Sequence, residues 1–170
     1  MRRMVLSILV ENTAGVLSRI SGLFSRRGYN ISSLTVAETQ SPSVSRMTVV
    51  ACGDDRILDQ IRNQLAKLED VIEIKELGMR GSVCRELMLV KIAVGVKERQ
   101  AVVTIADLFH AKIVDVTVDS LMMELTGNQD KIDAFIKMLD EFSIVELVRT
   151  GITGLLRANS EDYEDFEKND

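Results

Sequence analysis

Two hydrophobic periodicities alternate along this chain, and they do so twice in the same order. Arg3 to Val10 holds the apolar run Met-Val-Leu-Ser-Ile-Leu-Val, which predicts a buried strand. Gly15 to Arg27 carries Val16, Leu17, Ile20, Leu23 and Phe24 at helical spacing, with Gly28 where a helix C-terminal cap belongs. Asn30 to Glu38 alternates as a strand. Thr39 to Ser43, with the single proline Pro42, is a turn, and Val44 to Ala51 is a further strand. Gly53-Asp54-Asp55 opens a helix with Ile57, Leu58, Ile61, Leu65 and Leu68 on one face, and Val71 to Leu77 closes the copy as a strand.

The second copy repeats this order. Strands are predicted over Glu86 to Val94, Ala111 to Val118, Leu121 to Thr126 and Ile144 to Thr150, with helices over Glu98 to His110 and Gln129 to Glu141. Leu108-Phe109 falls where Leu23-Phe24 falls, and Gly127-Asn128 echoes Gly53-Asp54. The main departure is the hairpin, only Asp119-Ser120 here. The order β-α-β-β-α-β, written twice, predicts an α+β protein of two tandem ferredoxin-like domains, each an antiparallel sheet with two helices on one face. The expected boundaries are 1–78 for the first domain, 79–82 for a polar linker, 83–157 for the second domain and 158–170 for a tail. Strands this apolar need cover on their other sheet face, from the other copy or from a second chain, so a homodimer is expected.

Between the first strand and helix lies the polar turn Glu11-Asn12-Thr13-Ala14-Gly15. It places Asn12 and Thr13 just ahead of a helix start, where their oxygens can cap unpaired N–H groups. The same helix start can hold a small anion such as an amino acid carboxylate.

Composition changes this picture little. With 170 residues, 46% hydrophobic and 28% charged, the chain is globular and long enough for a real core. No apolar run approaches the ~20 residues that span a bilayer. No signal peptide is read at Met1-Arg2-Arg3, and Cys52 and Cys84 read as reduced thiols in the cytoplasm. The net charge of −5 is concentrated in Ala158 to Asp170, where Glu161, Asp162, Glu164, Asp165, Glu167 and Asp170 face only Lys168. That end reads as a disordered acidic tail on a balanced body, and without a basic field nucleic-acid binding has little to drive it.

Catalytic chemistry is not equipped. The single histidine, His110, sits at a helix end and suits packing or capping. Cys52 and Cys84 lack partners at metal-ligand spacing, so no metal site is read. No phosphate-binding, nucleophile-elbow or zinc-protease pattern occurs. Asp54-Asp55 suits a helix start and Glu69-Asp70 ends in a turn, neither an acid/base pair. Met122-Met123 alternates across a strand, which puts one of them in the core.

The segments R-R-M-V-L-S-I-L-V-E-N-T-A-G-V-L-S-R-I-S-G-L-F-S-R-R-G-Y-N-I-S-S-L-T-V-A and S-R-M-T-V-V resemble the regulatory, small subunits of acetolactate synthase (acetohydroxyacid synthase). So do L-E-D-V-I-E-I-K-E-L, R-E-L-M-L-V-K-I, I-V-D-V-T and I-V-E-L-V-R-T-G-I-T-G-L-L-R, over about residues 2 to 157. The resemblance implies an N-terminal ACT domain for effector binding and dimerisation, and a C-terminal domain peculiar to the small subunit. It implies no active site and no cofactor in this chain. The partner would be a large catalytic subunit using thiamine diphosphate, magnesium and FAD in branched-chain amino acid biosynthesis, activated by this chain and made sensitive to valine.

By the resemblance, valine lies between two ACT domains, at Asn12, Ala14 and Gly15 of one chain and Asn30 and Ile31 of the partner subunit. Gly15 lets a ligand approach backbone N–H groups, Asn12 and Asn30 suit a zwitterion, and Val16, Leu17 and Ile31 can form an apolar pocket. A scaffold role competes for each: Asn12 as a cap, Gly15 as a steric necessity, Asn30 as a turn residue, Val16 and Leu17 as core. A stand-alone amino-acid sensor controlling transcription is the alternative, and it would need a DNA-reading element that neither copy shows. The strand Leu87 to Val94 and the end Ile144 to Leu156 are the expected candidates for contacting the catalytic subunit.

Overall fold

The computed structural model describes residues 2–78 and 80–158. Met79 of the expected linker and Asn159 to Asp170 of the expected tail lie outside the described residues.

The first unit contains β1 (Arg2–Glu11), α1 (Val16–Arg26), β2 (Ile31–Glu38), β3 (Val44–Gly53), α2 (Asp55–Leu65) and β4 (Val71–Glu76). Its strands form an antiparallel sheet in the order β2-β3-β1-β4. Met4, Leu6, Ile8 and Val10 point to one face of β1, opposite Ala51, Val49, Met47 and Ser45 of β3. The apolar members of these rows join Ile20, Leu23 and Phe24 of α1 and Leu58, Ile61 and Leu65 of α2 in one buried core. The period-2 and period-3.6 patterns meet there, which is why the elements appear where the sequence predicts them. Asp54 caps α2 by accepting the Ile57 N–H at 2.8 Å. That helix stops at Leu65, and Leu68 packs on the core from the turn that follows.

The second unit holds β5 (Ser82–Ala93), α3 (Val96–Phe109), β6 (Lys112–Val116), β7 (Ser120–Gly127), α4 (Gln129–Met138) and β8 (Ser143–Arg149). Its path β6-β7-β5-β8 repeats that of the first sheet. Met88, Val90, Ile92, Leu121, Met123 and Leu125 line the helix-covered face, with Phe135 of α4 fully buried above them. Met123 is therefore the core member of the methionine pair. Asn128 caps α4 by accepting the Lys131 N–H at 3.0 Å, and His110 ends α3 in the left-handed conformation at φ 56°.

One element was not read from the sequence. β9 (Thr153–Leu156) pairs with β5, and the Arg157 N–H donates to the Gly81 carbonyl at 2.8 Å. Gly154 makes this approach possible, because a Cβ there would stand 2.7 Å from Cys84 Sγ and 2.9 Å from Leu77 Cδ1. Where the sequence places the second domain at 83–157, the described residues 152–158 group by compactness with the first unit, as does the chain through Cys84, and the second unit runs from Arg85 to Gly151. Long-range bonds tie this end to β2: the Ile152 N–H donates to Ser33 Oγ at 3.0 Å, and its carbonyl accepts from Thr35 Oγ1 at 3.0 Å. β5 likewise begins at Ser82, earlier than the expected Glu86. Ser7, Thr48 and Val50, on the sheet face turned away from α1 and α2, are all buried within this one chain.

Candidate functional site

The β1–α1 turn is built by two constraints acting at its two ends. At the strand end, the Asn12 N–H donates to the Ser43 carbonyl at 2.8 Å. The Asn12 amide nitrogen also donates to the Pro42 carbonyl at 2.8 Å and to Glu38 Oε1 at 3.0 Å. Asn12 thus ties the turn to the β2–β3 hairpin and is not the helix cap that its sequence position suggests. Gly15 takes the N-cap place at φ 90°, a left-handed backbone that side chains resist, and no side chain caps the helix. Thr13 contributes only its carbonyl, which the Val16 N–H reaches at 3.4 Å. First-turn N–H groups with no side-chain cap, at the positive end of a helix dipole, suit an external anion.

The expected site residues divide by exposure. Asn12, Ala14, Gly15 and Asn30 are exposed, Ile31 is partly buried, and Leu17 is 45% exposed. Val16 is 3% exposed and belongs to the core, so it shapes the floor of the turn and has no free face for a ligand. Asn30, immediately before β2, makes no side-chain hydrogen bond among the described residues, which leaves both its donors and its acceptor available.

Two further residues complete the turn: Arg19, which the sequence reading passed over, and Asp70, which it read only as the end of a turn. Arg19, one helical turn beyond Gly15, forms a two-pronged ion pair with Asp70, Nε to Oδ2 at 2.5 Å and Nη2 to Oδ1 at 2.8 Å. Hydrogen bonds from Arg19 hold the Asp70 carboxyl below its ordinary pKa, and those bonds raise the pKa of Arg19 in turn. The pair spans 51 positions of sequence, so no local spacing announces it.

Among the described residues there is no group of three or more acidic, cysteine or histidine side chains that could hold a metal ion. No described helix is long and apolar enough to cross a membrane. A ferredoxin-type unit with a glycine-led helix start beside a polar hairpin, followed by a second unit of the same order, defines a tandem ferredoxin-type protein. Residues 6–73 match the family described as the AHAS small subunit-like ACT domain, and residues 85–158 match the small subunit of acetolactate synthase. The chain is 48% identical over 158 residues to the acetolactate synthase isozyme 3 small subunit of Salmonella typhimurium, covering 92% of this chain and 97% of the relative. It is 47% identical over 156 residues to a probable acetolactate synthase small subunit of Methanothermobacter thermautotrophicus, covering 91% and 93%. The crystal structure of the Thermotoga maritima acetolactate synthase small subunit superposes with a TM-score of 0.87 at 35% identity, over 94% of this chain and 100% of that one. The chain belongs to the acetolactate synthase small subunit family.

Proposed function

We propose that this chain is a regulatory subunit that activates a catalytic acetolactate synthase subunit and makes it respond to valine. The observation that carries the effector reading is the glycine-led start of α1 without a side-chain cap, flanked by exposed Asn12 and Ala14. A carboxylate there would accept the first-turn N–H groups, and Asn30 and Ile31 of the partner subunit in a homodimer would meet the ammonium and the branched side chain. Thiamine diphosphate, magnesium and FAD, in this reading, belong to the catalytic subunit, and this chain supplies regulation alone. The exposed Val145 and Val148 of β8 make the Ile144 to Leu156 end the better candidate for docking that subunit.

The test is acetolactate formation by the catalytic subunit, reconstituted with this chain and titrated with valine. Gly15→Asp is expected to abolish inhibition, since its carboxylate repels the ligand's own and its backbone resists φ 90°. Coupling between effector and active site is typically about 1–3 kcal/mol, or a 5- to 150-fold shift, so its loss is easily measured. Normal valine sensitivity of that variant, relative to its own valine-free activity, would overturn the site assignment.

A further inference from the structure

We propose that Arg19 and Asp70 are the positioning pair of the effector turn, holding its helix-side donors where the ligand's carboxylate must meet them. The inference rests on the reading that the β1–α1 turn receives the amino acid, and it adds the residues that set the shape of that turn.

Asp70 grips the turn at both ends. Its main-chain oxygen accepts the Glu11 N–H at 2.9 Å, at the end of β1. Its carboxylate accepts Nε and Nη2 of Arg19, in the first turn and a half of α1. The exposed residues Asn12, Ala14 and Gly15 lie inside this bracket. On the strand side the turn has further ties, through Asn12 to Ser43, Pro42 and Glu38. On the helix side the Gly15 carbonyl accepts the Arg19 N–H at 2.9 Å and the Val16 N–H reaches the Thr13 carbonyl at 3.4 Å, and no side chain caps the first turn.

The guanidinium also reaches the cap itself. Its third nitrogen, Nη1, lies 3.0 Å from where a Cβ on Gly15 would stand. With Nε and Nη2 engaged in a planar two-pronged pair, the position of Nη1 is set by geometry, since the fork leaves no rotation. Arg19 Nη1 therefore occupies the space beside the N-cap residue that a side chain at position 15 would need, in a place set by the pair with Asp70. Small displacements of such donors matter, because a misplacement of ~1 Å in a binding geometry can cost as much as 100-fold.

The pair is half exposed on the arginine side, at 47%, and exposed ion pairs contribute little to global stability. Variants are therefore expected to fold, and the effect should appear in effector response. The decisive experiment titrates valine against the reconstituted holoenzyme carrying Asp70→Asn, Arg19→Gln, Arg19→Lys or the exchange Arg19→Asp with Asp70→Arg. The single variants are expected to raise the half-inhibitory valine concentration about ten-fold, within the usual range of coupling effects, while the activation plateau stays within about two-fold. Arg19→Lys should restore little, because an ammonium has no fork, whereas the exchange should recover part of the sensitivity. Wild-type valine titration in the single variants, with Gly15→Asp insensitive, would overturn the positioning role and leave the site reading standing. A parallel fall of activation and inhibition would overturn it as well, as the mark of a merely structural contact. Normal sensitivity in Gly15→Asp would remove both.

Discussion

The starts of α1 and α3 are the same device put to different use. Gly15-Val16-Leu17-Ser18-Arg19 and Gly95-Val96-Lys97-Glu98-Arg99 place a glycine N-cap four residues before an arginine in both units. In the second unit Gly95 is extended, at φ −76° and ψ 171°, and follows β5 with Val94 alone between them. Arg99 Nη2 donates to the hairpin carbonyls of Thr117 at 2.7 Å and Val118 at 2.6 Å. In the first unit Asn12-Thr13-Ala14 stands where the second has Val94, two residues longer, which lets Asn12 hold the hairpin instead, and Arg19 turns to Asp70. Glu98 sits in the first turn of α3, while α1 has no acidic residue there. A carboxylate ligand would find a built-in rival at α3 and none at α1. A difference of two residues thus separates a helix start that serves the scaffold from one that can serve a ligand.

The largest effect that would sharpen this contrast lies in the second unit's own ion pair. Glu86 is 5% exposed and accepts Arg149 Nε and Nη2, both at 2.7 Å. Glu86→Ala would leave the Arg149 guanidinium, 29% exposed, with Asp133 at 3.0 Å, so the loss is expected at or below the lower end of the ~3–5 kcal/mol that breaking a fully buried pair from one side costs. Chemical denaturation of the whole chain should show that loss. A smaller loss is expected from the Arg19–Asp70 pair, whose arginine is 47% exposed and whose aspartate is 18% exposed, and an equal one would erase the distinction between a scaffold unit and the proposed effector unit.

Next in size is Arg99→Ala. Two hydrogen bonds from one guanidinium nitrogen to hairpin carbonyls disappear; a bond to a charged group is worth about 1.5–3 kcal/mol net, and at this exposed site the two together are expected at the low end of that range. The expected result is a measurable fall in stability with an unchanged valine titration. Altered valine inhibition in Arg99→Ala would mean that the two helix starts are not functionally separate.

The sequence carried the topology because the core is periodic. Leu6, Ile8, Val10 and Leu58, Ile61, Leu65 announce strand and helix by spacing alone. Caps were legible where an Asp or Asn directly precedes the helix, as at Asp54 and Asn128. The cap at α1 was misread because Asn12 looks like a capping residue, and what its side chain does instead depends on a hairpin about 30 positions away. Arg19–Asp70 and β9 were hidden for the same reason. Each is a pairing between distant segments, fixed by the sheet order and not by any local pattern.

The smallest effect concerns the bracket of the proposed effector turn, and its sign is set by Asp70. The folded-state pKa of Asp70 is depressed by the hydrogen bonds from Arg19, so the pair's contribution is present above the ordinary carboxylate pKa of about 3.9. It is lost as pH falls through the lower folded value. The unfolding midpoints of the native chain and of Asp70→Asn should therefore differ slightly near neutral pH and converge on acidification below about pH 4. Salt should shrink the neutral-pH difference too, because Arg19 is half exposed and open to screening. A difference that persists unchanged in acid would show that the two side chains differ in stability for a reason other than charge, since the main-chain bond to Glu11 is common to both. The stability role of the ion pair would then be nil, and its part in the turn would have to be read from valine response alone.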